Sequence, residues 1–107
     1  MKNSLSLAKV KELMHNIPEW KLSENGTTIY RDFTMKNFTA SVDLIDKIAK
    51  IAEQENHHPD IHLTGYRQLR IELTTHEAEG LSELDFKEAG RIDELPAELR
   101  ELQTNKK

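Results

Sequence analysis

The histidines of this chain are unevenly placed. It has five of them in 107 residues; His57, His58 and His62 crowd into one stretch, His76 follows alone, and His15 stands apart. A free imidazole titrates near pH 6.5, so it can give or take a proton around neutrality. Several of them around one cavity suit a reaction that needs an acid at one substrate atom and a base at another. Glu53 lies four residues before His57. If a helix reaches that far, carboxylate and imidazole share a face, and the carboxylate favours the imidazolium and fixes its orientation. The same set, Glu53, His57, His58, His62 and His76, could also supply zinc or iron ligands. No His-Glu-x-x-His motif or recognised two-histidine, one-carboxylate spacing is present, so a metal site is the alternative, not the first reading. Cysteine is absent, which removes thiolate sites, cysteine nucleophiles and disulfides together.

Elements that could bring these side chains together can be read from the pattern. Apolar residues at Leu5, Leu7, Val10, Leu13 and Met14 predict a helix from Ser4 or Ser6 to His15, stopped by Pro18. His15 sits where a helix dipole favours a cation. Trp20–Ser23 and Thr28–Met35 read as strands joined through Asn25-Gly26, with Arg31 breaking the apolar side of the second. Asn37 caps a second helix running to about Glu55, whose apolar stripe is read as Phe38, Val42, Ile45, Ala49 and Ala52. Asn56 and Pro59 end it. Strands at Asp60–Tyr66 and Leu69–Thr74 follow, with Gly65 as a candidate bulge. Ser82 with Asp85 three residues later resembles a capping box, and Leu81 and Phe86 stand at staple positions. That last helix runs to about Leu95, its charged residues reading as a solvated face. Pro96 opens a short turn or helix, and Thr104–Lys107 form a frayed tail.

The order helix, two strands, helix, two strands, helix predicts one α+β domain over residues 1–107, a four-stranded antiparallel sheet with helices on one face. In an antiparallel hairpin turning near Arg67, the start of the third strand lies beside the end of the fourth. His57 and His58 are therefore expected to face His76 across one end of the sheet. His62 reads as a strand-surface residue, and Trp20 and Tyr66 as packing.

Composition narrows the function. Lys and Arg number 15 against 19 Asp and Glu, a net charge of -4 with the signs interspersed. A phosphate-backbone binder presents a basic face, so nucleic acid is not expected as a direct partner. No apolar run approaches the ~20 residues needed to span a bilayer. Met1-Lys2-Asn3-Ser4 leads into an amphipathic segment unlike a signal peptide. A cytoplasmic protein with no membrane partner is the expectation.

Glu53, then His57-His58-Pro59 after three residues, with Tyr66, His76 and Asp85 at their later spacings, resembles the signature of the pterin-4a-carbinolamine dehydratases. Ile29-Tyr30-Arg31-Asp32-Phe33, Thr75-His76-Glu77, Gly80-Leu81-Ser82 and Trp20 are similar to that family too, so the likeness runs from about Trp20 to Leu95. The resemblance implies elimination of water from 4a-hydroxytetrahydrobiopterin, giving quinonoid dihydrobiopterin and supporting tetrahydropterin recycling. It implies His57, His58 and His76 as the functional histidines, Glu53 and Asp85 in support, and His58, Pro59, Thr75, Glu77 and Ala78 against the pterin. The pterin is then the substrate, and neither a cofactor nor a metal is expected. A homodimer, able to associate further into a tetramer through helices, is implied as well. Some members also act as a dimerisation cofactor of a homeodomain transcription factor, a surface property that the motif does not carry. Two departures stand out. Many relatives have Asp where this chain has Asn56, and the stretch from His58 to Tyr66 is one residue longer than in vertebrate members.

Overall fold

The computed structural model describes residues 4–100. Helix α1 (Leu7–Met14) is capped by Ser6, whose hydroxyl accepts from the Lys9 N–H, and ends at His15. Strands β1 (Lys21–Leu22) and β2 (Ile29–Thr34) precede helix α2 (Phe38–Glu55), which Asn37 caps through the Ala40 N–H. Strands β3 (Asp60–Thr64) and β4 (Gln68–Leu73) follow, then a single 3₁₀ turn (His76–Ala78) and helix α3 (Glu83–Asp93). The four strands form one antiparallel sheet in the order β1-β2-β4-β3, the expected α+β arrangement.

Register explains which face is dry. Ile29 pairs with Leu73, Arg31 with Ile71 and Phe33 with Leu69, while Ile61 and Leu63 of β3 stand opposite Ile71 and Leu69. Because strand side chains alternate, these residues share one face, and the helices cover it. Ile29, Ile71 and Leu73 have no exposed surface there, beside Leu44 and Ile48 of α2 and Ala89 and Ile92 of α3. The opposite face carries Tyr30, Asp32, Arg70, Glu72 and His62. Arg31 is the polar residue on the dry face. It reaches Asp93 at 2.6 Å, an oxygen that also accepts from the Trp20 indole N–H at 2.8 Å.

Several local expectations are corrected. On α2 the buried residues are Ala40, Ser41, Leu44, Ile48, Ile51 and Ala52, whereas Phe38, Val42 and Ala49 are exposed. Gly65 is no bulge. With Tyr66 it forms the β3–β4 turn at positive φ (54° and 59°), so β3 stops at Thr64. Beyond Pro96 no helix forms up to Arg100; Met35 pairs with Leu99, and Arg100 N–H donates to the Thr34 carbonyl at 2.8 Å. The tail Thr104–Lys107 lies outside the described residues. Among the described residues no helix is long and apolar enough to cross a membrane.

Candidate active site

The C-terminus of α2 aims the histidines. Asn56 takes the left-handed conformation (φ 51°, ψ 43°). The His57 N–H then donates to the Ala52 carbonyl at 3.1 Å and the Asn56 N–H to that of Glu53 at 3.3 Å. This pair of bonds is a Schellman ending, and Asn is among the few non-glycine residues that tolerate the backbone it needs. The chain reverses there, so His57 leaves the helical face it was expected to share with Glu53. Glu53 meets His58 instead, Oε2 to Nε2 at 2.7 Å, in the open.

His57 turns inward to α3. Its Nε2 lies 2.6 Å from Asp85 Oδ1, with Asp85 fully buried and His57 only 10% exposed. The capping box expected at Ser82 and Asp85 is present: Asp85 Oδ2 accepts from the Ser82 N–H at 2.9 Å. Oδ2 also accepts from the Thr75 hydroxyl at 2.8 Å. One carboxylate thus closes α3, anchors the end of β4 and holds His57. The capping signal is legible in the sequence, and the supporting place implied for Asp85 takes the form of an imidazole contact that depends on the α2 ending.

The 3₁₀ turn supplies the opposite wall. Thr75 and Gly80 form an isolated bridge that pinches His76–Ala78 out as a small loop. Added at Gly80, a side chain would meet Ser4 Cβ at 3.0 Å, so the close approach of Ser4 favours glycine there. His57, His58, Pro59, Thr75, His76 and Glu77 then line one hollow of about 600 Å³ at this end of the sheet. The two histidine stretches converge as the strand pairing predicted. Ala78 is buried and borders a neighbouring hollow of about 650 Å³, which shares Thr75, Glu77 and Leu84 with the first as lining residues. His62 lies apart on the wet sheet face, 3.6 Å from Glu72. Among the described residues no three His, Asp or Glu side chains gather as a metal ion would require.

Sequence reasoning also missed Glu88. The charges of α3 were expected to face solvent, yet Asp85 and Glu88 have no exposed surface. They lie at i and i+3, followed by buried Ile92, so both follow the helix's inner stripe. Neither Glu88 oxygen has a hydrogen-bond partner. Burial pushes its carboxyl up to about 7, with nearby His57 pulling the other way.

The α+β sheet thus carries imidazoles around one hollow at its end, one of them backed by a buried carboxylate. Residues 3–95 match the profile of the pterin 4 alpha carbinolamine dehydratase family, and the chain belongs to that family. It is 44% identical to a provisionally named pterin-4-alpha-carbinolamine dehydratase of Chloroflexus aggregans, over 85% of this chain and 95% of that one. It is 39% identical to the mitochondrial pterin-4-alpha-carbinolamine dehydratase 2 of Arabidopsis thaliana over 82% of this chain, spanning 48% of that longer protein. A solved transcriptional coactivator/pterin dehydratase from Brucella melitensis superposes with a TM-score of 0.80 at 27% identity, covering 85% of this chain and 96% of that one.

Proposed function

We propose that this protein is a 4a-hydroxytetrahydrobiopterin dehydratase. It releases water and quinonoid dihydropterin by histidine acid–base catalysis, acts in the cytoplasm, needs no cofactor or metal, and supports tetrahydropterin recycling. Dehydration breaks the C4a–O bond, removes the N5 proton and forms a C4a–N5 double bond. The hydroxyl departs as water once it is protonated, so the reaction asks for an acid beside C4a and a base beside N5. Family membership supports the substrate class, and the hollow of about 600 Å³ is roomy enough for a bicyclic heterocycle.

The observation that carries the reading is the His57–Asp85 pair on the wall of a hollow that also contains His76. With Nε2 held by a buried carboxylate, Nδ1 is the nitrogen left for substrate. Asp85 stabilises the imidazolium that forms when His57 takes a proton, as a triad aspartate does. His57 is therefore assigned as the base and His76, exposed on the opposite wall, as the acid. His58, oriented by Glu53 at the rim, holds the pterin, with Pro59, Thr75, Glu77 and Ala78 beside it.

A direct assay on synthetic 4a-hydroxytetrahydropterin tests this. The wild type should dehydrate it well above the spontaneous rate, and His76→Ala should lose roughly 10²–10⁴-fold in kcat. Equal rates with and without protein would reject the proposal.

A further inference from the structure

A buried polar group without a partner weakens a fold, and Glu88 is one of the buried residues of α3 with Phe86, Ala89 and Ile92, where an apolar side chain would not incur that cost. Packing does not account for it. It lies one turn after Asp85 on α3, and Asp85 is bonded to His57. The charged groups whose fields reach it are His57 and His58 from the α2–β3 connection, Glu55 from the end of α2, and Asp85 from its own helix. Glu55 is held by Arg91 at 2.6 Å and Lys87 at 3.3 Å, and His58 is engaged by Glu53 at 2.7 Å. The pair left for Glu88 to act on is His57 with Asp85.

We propose that Glu88 is a positioning residue for His57: a second dry carboxyl, one helical turn behind Asp85, whose negative charge and the His57 imidazolium stabilise each other. Glu88 keeps its proton up to about pH 7. The second charge therefore arrives only as pH rises through neutrality, and there it strengthens His57 as a base. This inference rests on the acid–base role given to His57 above.

The test compares the wild type with Glu88→Gln, which keeps the shape without the charge, and with Glu88→Leu, which fills the space should Gln weaken the fold. Dehydration of 4a-hydroxytetrahydropterin is followed from about pH 5.5 to 8.5. Both variants should run close to the wild type at the acid end. Above about pH 7.5 kcat should fall roughly three- to tenfold relative to the wild type with KM unchanged. In parallel, carbon NMR should show the Glu88 carboxyl titrating near neutrality. The His57 ring resonances should inflect with it in the wild type and lose that inflection in both variants. A variant-to-wild-type rate ratio constant across the pH range, or His57 resonances blind to the Glu88 step, overturns the proposal. The NMR arm needs no turnover, so it reads the coupling even if the dehydratase assignment fails.

Discussion

At the residue scale, Asp85 concentrates the most consequence in one side chain. Its two oxygens serve His57, Thr75 and the Ser82 N–H, with no exposure to water. Asp85→Asn nearly preserves the shape but removes the carboxylate that contacts His57 at 2.6 Å. By analogy with triad aspartates, kcat for dehydration should fall roughly 10²-fold or more, while the far-ultraviolet spectrum stays that of the wild type. A variant as fast as the wild type would show that His57 needs no carboxylate. Glu88 leads to a separate prediction about stability. Its folded value of about 7 lies above the ordinary 4.5, so the folded state holds that proton more tightly than the unfolded chain does. The stability linked to it is full below about pH 4.5 and is lost as pH rises through about 7. A shift of this size corresponds to about 3 kcal/mol as an order of magnitude. Glu88→Leu should remove this dependence and unfold in more urea than the wild type at pH ~8. Denaturant midpoints for both proteins at acid and alkaline pH check it, and parallel curves would reject it.

At the element scale, the end of α2 decides whether the histidines face the hollow. Asn56 at φ 51° is the hinge of that ending. Asn56→Gly should keep stability and activity, since glycine adopts this conformation freely. Asn56→Val should cost about 1–2 kcal/mol and lower kcat, because a branched residue resists the left-handed region and the paired histidines lose their aim. Urea denaturation and the dehydration assay, run on both variants, separate these outcomes. The same residue shows what the sequence could and could not convey. Asn56 and Pro59 marked the helix end correctly, but helical periodicity carried Glu53 to His57, and only the left-handed turn hands Glu53 to His58. The β-alternation of Leu69, Ile71 and Leu73 was unambiguous because strands have a period of two, and it brought His76 opposite His57 and His58. On α2 the apolar residues outnumber one face. Phe38, Val42, Ile45 and Ala49 make as regular a stripe as Leu44, Ile48 and Ile51, and only the sheet beneath selects between them. Buried carboxylates on α3 were hidden for a related reason. A Glu on a helix is ordinarily solvated, and the one local sign to the contrary is Ile92 four residues on, at the spacing that shares its face.

At the scale of the whole molecule, the misassigned stripe raises the question of assembly. Phe38 is 55% exposed and Val42 47%, with Ala49 exposed and Ile45 half-buried on the same side of α2. An 18-residue helix that is apolar on two sides has covered only one of them among the described residues. The sheet adds a second unpartnered feature, since β3 pairs with β4 alone and its outer edge is free among the described residues. These two features fit the assembly implied by the family resemblance, dimers that associate further through helices, and they can be told apart. The wild type at micromolar concentration is expected to sediment as a dimer or larger. Phe38→Glu combined with Val42→Glu places two charges in the stripe without touching the core of Leu44, Ile48 and Ile51, so folding and per-chain stability should be little changed. If copies meet through α2, the double variant sediments as a smaller species than the wild type. An unchanged size would shift the contact to the β3 edge or another surface, and a monomeric wild type would remove the expectation altogether. The candidate site lies at the other end of α2, beyond Glu55, so the dehydration rate of the double variant reads whether assembly and chemistry are independent. A charged stripe that dissociates the protein while leaving kcat unchanged would show that one chain holds a complete site.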